Sequence, residues 1–311
     1  VHPGLARPHL LDVSGKERML AYLDETGRLC IYREREGMAD TTVLDESPGL
    51  TSLEGAAFSG CSMVLPMSDG GDGMLEAFTK ALGGTIEPVY VHNQMMRRVD
   101  AAFGMTADGT AIVEVAQACG LELVKEDERN PMRATTYGVG ELLSRAVKRG
   151  CRNFIIGLGG SGTSDAGIGM LRALVDIFAK GKTFDDAMQT ELGECRFTLA
   201  CDVDNPLCGE NGAACVYAPQ KGATSQMVEQ LDRRAKLFAE KSALHYGYDR
   251  SCCPGAGAAG GLGYAFMQYL GAEMKSGADL LLDLTDFNGK MKDADLLITG
   301  EGSADRQTLM G

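Results

Sequence analysis

Tryptophan is absent from the 311 residues, and aromatic residues of all kinds make up only 6%. A platform that stacks single-stranded bases on aromatic rings is therefore not expected. Basic residues are also scarce: 30 Lys and Arg stand against 43 Asp and Glu, a formal net charge of −13. Nucleic acid needs clustered Lys and Arg to neutralise its phosphates, so it is excluded as the main partner. No apolar run reaches the ~18 residues that a membrane span requires. Residues 1–18, VHPGLARPHLLDVSGKER, lack the charged start, long apolar stretch and small-residue cleavage site of a secretory leader, and a cytoplasmic location is expected. The 10 cysteines contain no C-x-x-C pair, and the four histidines (His2, His9, His92, His245) lie apart from them. Structural zinc is not expected, and the thiols read as reduced, small core residues.

Several signatures of chemistry are missing too. There is no G-x-x-x-x-G-K-[ST] phosphate loop, no H-R-D or D-F-G kinase set, and no G-x-S-x-G nucleophile elbow. The G-x-G-x-x-G at Gly255 to Gly260 has no strand-like run before it, so it is a poor dinucleotide fingerprint.

What is abundant is glycine. The chain has 41 glycines and only 9 prolines, about twice the ~7% glycine of ordinary usage. Many tight turns, or places of close backbone approach, are implied. The 44% hydrophobic content is that of a globular protein, and the length suggests about two domains.

The glycines recur in one pattern: an apolar run, a Gly/acid turn, then a helical pattern. SMVLPM leads into SDGGDG and MLEAFTKALGG over 62–84; NFIIGL leads into GGSGTSDAG and IGMLRAL over 153–174. DLLIT leads into GEGSAD and RQTLMG over 295–311, and FTLACDVDNPLCG over 197–209 is a looser case. Alternating strands and helices predict an α/β fold with parallel pairing, which gathers such turns on the edge where open sheets bind ligands. Elsewhere, 110–115 reads as a strand, 137–149 and 226–242 as helices, and 254–277 as a Gly/Ala-rich loop that becomes a helix. Residues 19–32 read as a hairpin, and 33–60 as loop or short helix.

The turns carry the candidate chemistry. Gly159, Gly160 and Ser161 precede a helix start, where free N–H groups and the dipole favour an anion. Asp165 suits a magnesium ion or a hydroxyl that must lose its proton, although Ser, Thr and Asp there are also ordinary helix caps. Asp69 and Asp72 flank Gly70 and Gly71, where a cation or an Asx turn fits equally. Glu301 and Asp305 flank a similar turn after Gly300. Gly255, Gly257, Gly260 and Gly261 offer close backbone approach to a ligand, or simply a packing turn. Asp202, Asp204 and Asn205 follow an apolar run. Lys221 could meet a transferring phosphate, although lysines in such turns are usually solvated; Arg133, Thr135 and Thr136 are similarly ambiguous. Acids together with glycine-rich anion nests suit magnesium-assisted phosphoryl transfer.

These motifs, in this order, resemble one family. FIIGLGGSGTSDAGIGML, ACDVDNPLCGENGAA, PQKGAT, PGAGAAGGLG and DADLLITGEGSADRQTL, with VLPMSDGGDGMLEAF and RNPMRATTYGVGELL, look like the bacterial glycerate kinases of the first structural class. The resemblance covers about 62–311. No counterpart of the family's Asp-Ser-Phe-Lys-Gly-type segment is found in 1–60. The family continues beyond the TL-x-G motif at which this chain stops, and Ser303 stands where relatives often carry arginine.

The resemblance implies ATP-dependent phosphorylation of a D-glycerate hydroxyl with Mg2+. The products would be ADP and 2-phosphoglycerate, with 3-phosphoglycerate as the other regioisomer. Another small sugar acid as substrate, or a non-catalytic ligand-binding relative, is the alternative. It implies a discontinuous Rossmann-like domain (1–75 plus 290–311, incomplete) with a second α/β domain (76–289) inserted. On that reading Asp202, Asp165 and Lys221 are catalytic, with either Asp202 or Asp165 as the base that takes the substrate proton and the other at the metal. Gly159, Gly160, Ser161, Gly255, Gly257, Gly260, Gly261, Gly300, Glu301 and Asp305 bind the nucleotide. Asp69, Gly70, Gly71, Asp204 and Asn205 bind the acid.

Overall fold

The computed structural model describes residues 9–14, 17–23, 29–35, 38–45, 68, 70–71 and 73–292, with side chains described from residue 68 onward. The chain divides into two compact units, Val1–Leu65 with Phe287–Gly311, and Pro66–Asp286.

In the first unit, β1 (His9–Ser14), β2 (Glu17–Leu23), β3 (Leu29–Arg35) and β4 (Met38–Asp45) form an antiparallel sheet in chain order. β2 and β3 pair from Leu23↔Leu29 to Glu17↔Arg35, the hairpin expected over 19–32. The loop expected over 33–60 is corrected in part: Met38–Asp45 pairs with β3 as β4. Its β-branched Thr-Thr-Val core favours a strand, but too few residues alternate for the period to show. Much of the discontinuous domain expected for 1–75 and 290–311 lies outside the described residues, including the strand expected over 62–67 and the whole of 295–311.

The second unit begins with α1 (Met74–Ala81), β5 (Thr85–His92), β6 (Arg98–Met105) and β7 (Thr110–Glu114). It continues with α2 (Ala116–Cys119), α3 (Tyr137–Lys148), β8 (Asn153–Gly157), α4 (Ile168–Phe178), α5 (Phe184–Met188) and β9 (Arg196–Ala200). α6 (Ala213–Tyr217), α7 (Ser225–Tyr246), α8 (Ala258–Leu270), β10 (Glu273–Lys275) and α9 (Gly277–Leu284) follow, and α10 (Phe287–Met291) falls in the other unit. The sheet order is β10-β9-β8-β7-β6-β5; β7 to β10 are parallel, and β5 and β6 are added antiparallel.

The class is α/β, and the parallel strands read as nearly continuous apolar runs because both faces are covered. On one face Ala111, Val113, Phe154, Ile156, Phe197 and Leu199 join the larger core with residues of α3, α4 and α8. On the other, Ile112, Ile155 and Ala200 pack with Met74, Leu75 and Phe78 of α1 and Leu280 and Leu281 of α9. The β5–β6 hairpin is not legible in the sequence. No Asn-Gly or Asp-Gly marks its turn; instead Asn93 Oδ1 accepts from the amides of Met95 and Arg97. Pro88 is tolerated in β5 because that strand is the sheet edge.

Candidate active site

β7 ends at Glu114, β8 at Gly157 and β9 at Ala200, so their carboxyl ends share one edge. Beyond that edge lies a cavity of about 610 Å³. Turns from distant parts of the chain meet around it. Of the residues expected at a site, Gly70, Gly71, Gly159, Gly160, Ser161, Asp202 and Lys221 line it.

Glycine permits this convergence. The amide of Gly159 donates to the carbonyl of Gly70 at 3.0 Å, and a Cβ on Gly159 would collide with Cα of Gly71. Gly70, at φ +94°, faces the carbonyl of Ala200 with no room for a side chain. The turns after β8 and β9 and the turn before α1 therefore pack backbone against backbone. A further segment is tied on by the amide of Leu121, which donates to Gly160 at 2.8 Å, and that of Gly162, which donates to Cys119 at 2.7 Å.

Lys221 ends a 3₁₀ turn, Pro219–Lys221, stopped by Gly222 at φ +92°. The expectation that a lysine here would be solvated is corrected: it is 3% exposed. Its Nζ donates to Ser161 Oγ at 3.1 Å and to the carbonyl of Thr163 at 2.6 Å. Both acceptors are neutral oxygens, and an ammonium has a third donor. Burial lowers the pKa from 10.5 to about 8, against the opposing field of the Asp165 carboxylate. The Cys119 thiol, fully buried nearby, is pushed up to about 12 by burial.

Asp165 does not line the cavity. Its Oδ2 accepts from the amides of Thr136 at 2.8 Å and Gly169 at 3.1 Å, and its Oδ1 from the amide of Gly167 at 3.0 Å. Thr136 Oγ1 donates to the same carboxylate at 3.0 Å and accepts from the amide of Met170 at 2.9 Å. Thr136 caps α3 and Gly167 caps α4, so one carboxylate serves two helix N-termini. Burial raises its pKa, while these donors hold it down. The anion expected at the start of α4 is thus this internal carboxylate, and the capping reading of Asp165 accounts for both of its oxygens.

Other expected residues are placed differently. Asn205 does not line the cavity but accepts from the hydroxyl of Tyr217, which does, at 2.6 Å. Asp204 is exposed and also lies off the lining. From the 254–263 loop, Ala258 and Ala259 line the cavity, while its glycines face protein. A Cβ on Gly257 would strike the carbonyl of Pro206, on Gly260 that of Thr163, on Gly255 the Met274 side chain, and on Gly261 Cα of Ala166. Packing therefore accounts for the glycines expected to bind nucleotide there. Asp69, Gly300, Glu301 and Asp305 lie outside the described residues. Among the described residues, no group of three or more His, Cys, Asp and Glu converges on a point that could hold a metal.

Glu114 was not singled out in the sequence, yet it lines the cavity and is 4% exposed. Its Oε2 accepts from the amide of Leu75 in the first turn of α1 at 3.1 Å. The available signal was an acid interrupting the apolar run TAIVEVA at the last position of its strand.

The glycerate kinase family model matches residues 53–311. The chain is 40% identical over 269 residues to "Glycerate kinase" of Bacillus subtilis (strain 168), covering 79% of this chain and 69% of that protein. It is 40% identical over 272 residues to "Glycerate 2-kinase" of Escherichia coli (strain K12), with the same coverage. Its fold is similar to a crystal structure from Salmonella typhimurium LT2 described as a glycerate kinase 2. The TM-score is 0.70 at 38% identity, over 79% of this chain and 70% of that one.

Proposed function

The chain belongs to the glycerate kinase family, enzymes that phosphorylate glycerate, and from that premise we propose that it transfers the γ-phosphoryl of ATP to the 2-hydroxyl of D-glycerate. The observation that carries the reading is a buried cation and an exposed carboxylate, Lys221 and Asp202, on the wall of one cavity at the strand edge.

Phosphoryl transfer asks the protein mainly for positioning and charge stabilisation. In this reading the hydroxyl oxygen of glycerate attacks the γ-phosphorus, the bond from that phosphorus to the β-bridging oxygen breaks, and ADP leaves. Asp202, exposed on the cavity wall, takes the hydroxyl proton. Lys221, fixed by Ser161 and Thr163, keeps a donor for the oxygens of the transferring group. The backbone of the Gly159–Gly160 turn lines the cavity and gives close approach there, with the Gly159 amide held by the carbonyl of Gly70.

Mg2+ binds to one or two carboxylates and fills the rest of its shell with water and substrate phosphate oxygens. Three carboxylates, Glu114, Glu122 and Asp202, lie on the cavity wall, so one is there for the ion without a converging three-acid cluster. Glu114, the most buried, would hold the ion, leaving Asp202 for the proton. When bound, the ion would neutralise the charge of the β- and γ-phosphates.

The test incubates the purified chain with ATP, Mg2+ and, in parallel, D-glycerate, erythronate and glycerol, and follows ADP release. Proton-coupled 31P NMR identifies the product. Phosphate on C2 of glycerate is expected; phosphate on C3 would overturn the regiochemistry, and ADP release with no acid would overturn the function. The alkaline limb of the pH profile should fall as pH rises through about 8, because Lys221 loses its charge there.

A further inference from the structure

We propose that Asp165 is a positioning residue for this reaction: by clasping the N-termini of α3 and α4 it holds the 161–166 turn in the one shape that presents Ser161 Oγ and the Thr163 carbonyl to the Lys221 ammonium. The inference rests on the reading of Lys221 as the cation of phosphoryl transfer.

The geometry is a short chain of fixed contacts. Four donors from two helices converge on the carboxylate, namely the amides of Thr136, Gly167 and Gly169 and the hydroxyl of Thr136. There is no slack around them. A Cβ on Gly169 would strike Thr135 Oγ1, so the two helix starts touch directly. One residue beyond the clasp, Ala166 takes a left-handed conformation, φ +54°, which costs energy for a residue with a Cβ. Its amide donates to the carbonyl of Gly260 at 3.0 Å, and Gly260 itself leaves no room beside the carbonyl of Thr163. The turn is thus pinned on one side by α8 and on the other by Asp165. Two residues before Asp165, the carbonyl of Thr163 makes the shorter of the two hydrogen bonds to Lys221.

A strained turn held from both sides fixes an ammonium more firmly than a free loop would. Displacing a catalytic group by about 1 Å costs on the order of a hundredfold in rate. Asp165 also acts through its charge, since its field favours the protonated lysine. The titratable groups facing Lys221 are Cys119, at the end of α2, and Asp165; Glu114, Glu122 and Asp202 share the cavity wall and are unchanged by the test.

The test compares wild type, Asp165→Asn, Thr136→Ala and Thr136→Ser. Asparagine keeps the shape but sets an NH2 against the clasp donors. We expect kcat to fall about tenfold to a hundredfold in Asp165→Asn, with a smaller change in the KM for ATP. The alkaline limb should move to lower pH by about half a unit, because a negative charge near Lys221 is lost. A merely structural role would lower the folded fraction and leave the midpoint in place. Thr136→Ala should lower kcat about threefold to tenfold, and Thr136→Ser, which restores a hydroxyl, should recover it.

Wild-type kcat and midpoint in folded Asp165→Asn would overturn the proposal. Should that variant fail to fold, wild-type kcat in Thr136→Ala would overturn it equally. A second readout separates this idea from the functional reading. Acetic anhydride labelling of Lys221, quantified by peptide mass spectrometry, reports its protonation without turnover. Labelling of a folded variant at lower pH than wild type supports the clasp even if no glycerate is phosphorylated; identical labelling curves refute it.

Discussion

A buried lysine and a buried aspartate show how little residue type says about role. Lys221 sits in a Gln-Lys-Gly turn of the kind that usually leaves an ammonium in water, but the fold buries it against two neutral oxygens. Its pKa is lower in the folded protein, about 8, than its ordinary 10.5, so the native state sheds the proton first. Between those values the unfolded chain binds more protons, and stability gains from Lys221 as pH rises. Denaturant titrations of wild type and Lys221→Met should therefore diverge: the wild type gains stability across pH 8 to 10.5 relative to the variant. Parallel curves would mean that the lysine is not desolvated. In the same assays Lys221→Met should lose about a hundredfold or more in kcat. Asp202 is the complementary case. It is exposed at the cavity, so Asp202→Asn should leave the thermal midpoint unchanged while kcat drops by about two to four orders of magnitude. Unaltered turnover would remove it from the mechanism.

The elements around the cavity are held by backbone contacts more than by side chains. Gly159 and Gly71 approach so closely that one methyl group has no place to go. Both sides of the contact are main chain, so relaxation would have to move a turn. Gly159→Ala should cost about 1–3 kcal/mol by denaturant titration and depress kcat by more than the fraction unfolded explains. A fully active variant of wild-type stability would show that the turns are looser than their geometry. The same logic favours the packing reading of the 254–263 loop, whose glycines seat against Pro206, Thr163, Ala166 and Met274. A glycine-rich stretch looks the same in sequence whether its missing side chains make way for a ligand or for the protein itself.

Across the whole Pro66–Asp286 unit, the core sorts groups that the sequence lists side by side. Cys119, Cys151 and Cys195 are buried, whereas Cys252 is exposed. A brief pulse of iodoacetamide on the native protein should alkylate Cys252 early, while Cys119, its thiol pushed up to about 12, should react only after unfolding. Equal native rates, read by peptide mass spectrometry, would contradict the packing. Among the described residues no helix is long and apolar enough to cross a membrane.

The sequence by itself determined the α/β class and the strand–turn–helix unit at 153–174, because apolar periodicity and glycine punctuation are local signals. It also determined the family, through ordered motifs. It did not reveal the β5–β6 hairpin, whose turn is an Asx arrangement without the usual dipeptide, nor the cavity role of Glu114. Only the tertiary structure decided that Asp165 caps two helices, that Lys221 is buried beside Ser161, and which glycines face a cavity and which face chain. Each of these depends on residues dozens of positions apart meeting at one place, and burial and electrostatic field exist only once they have met.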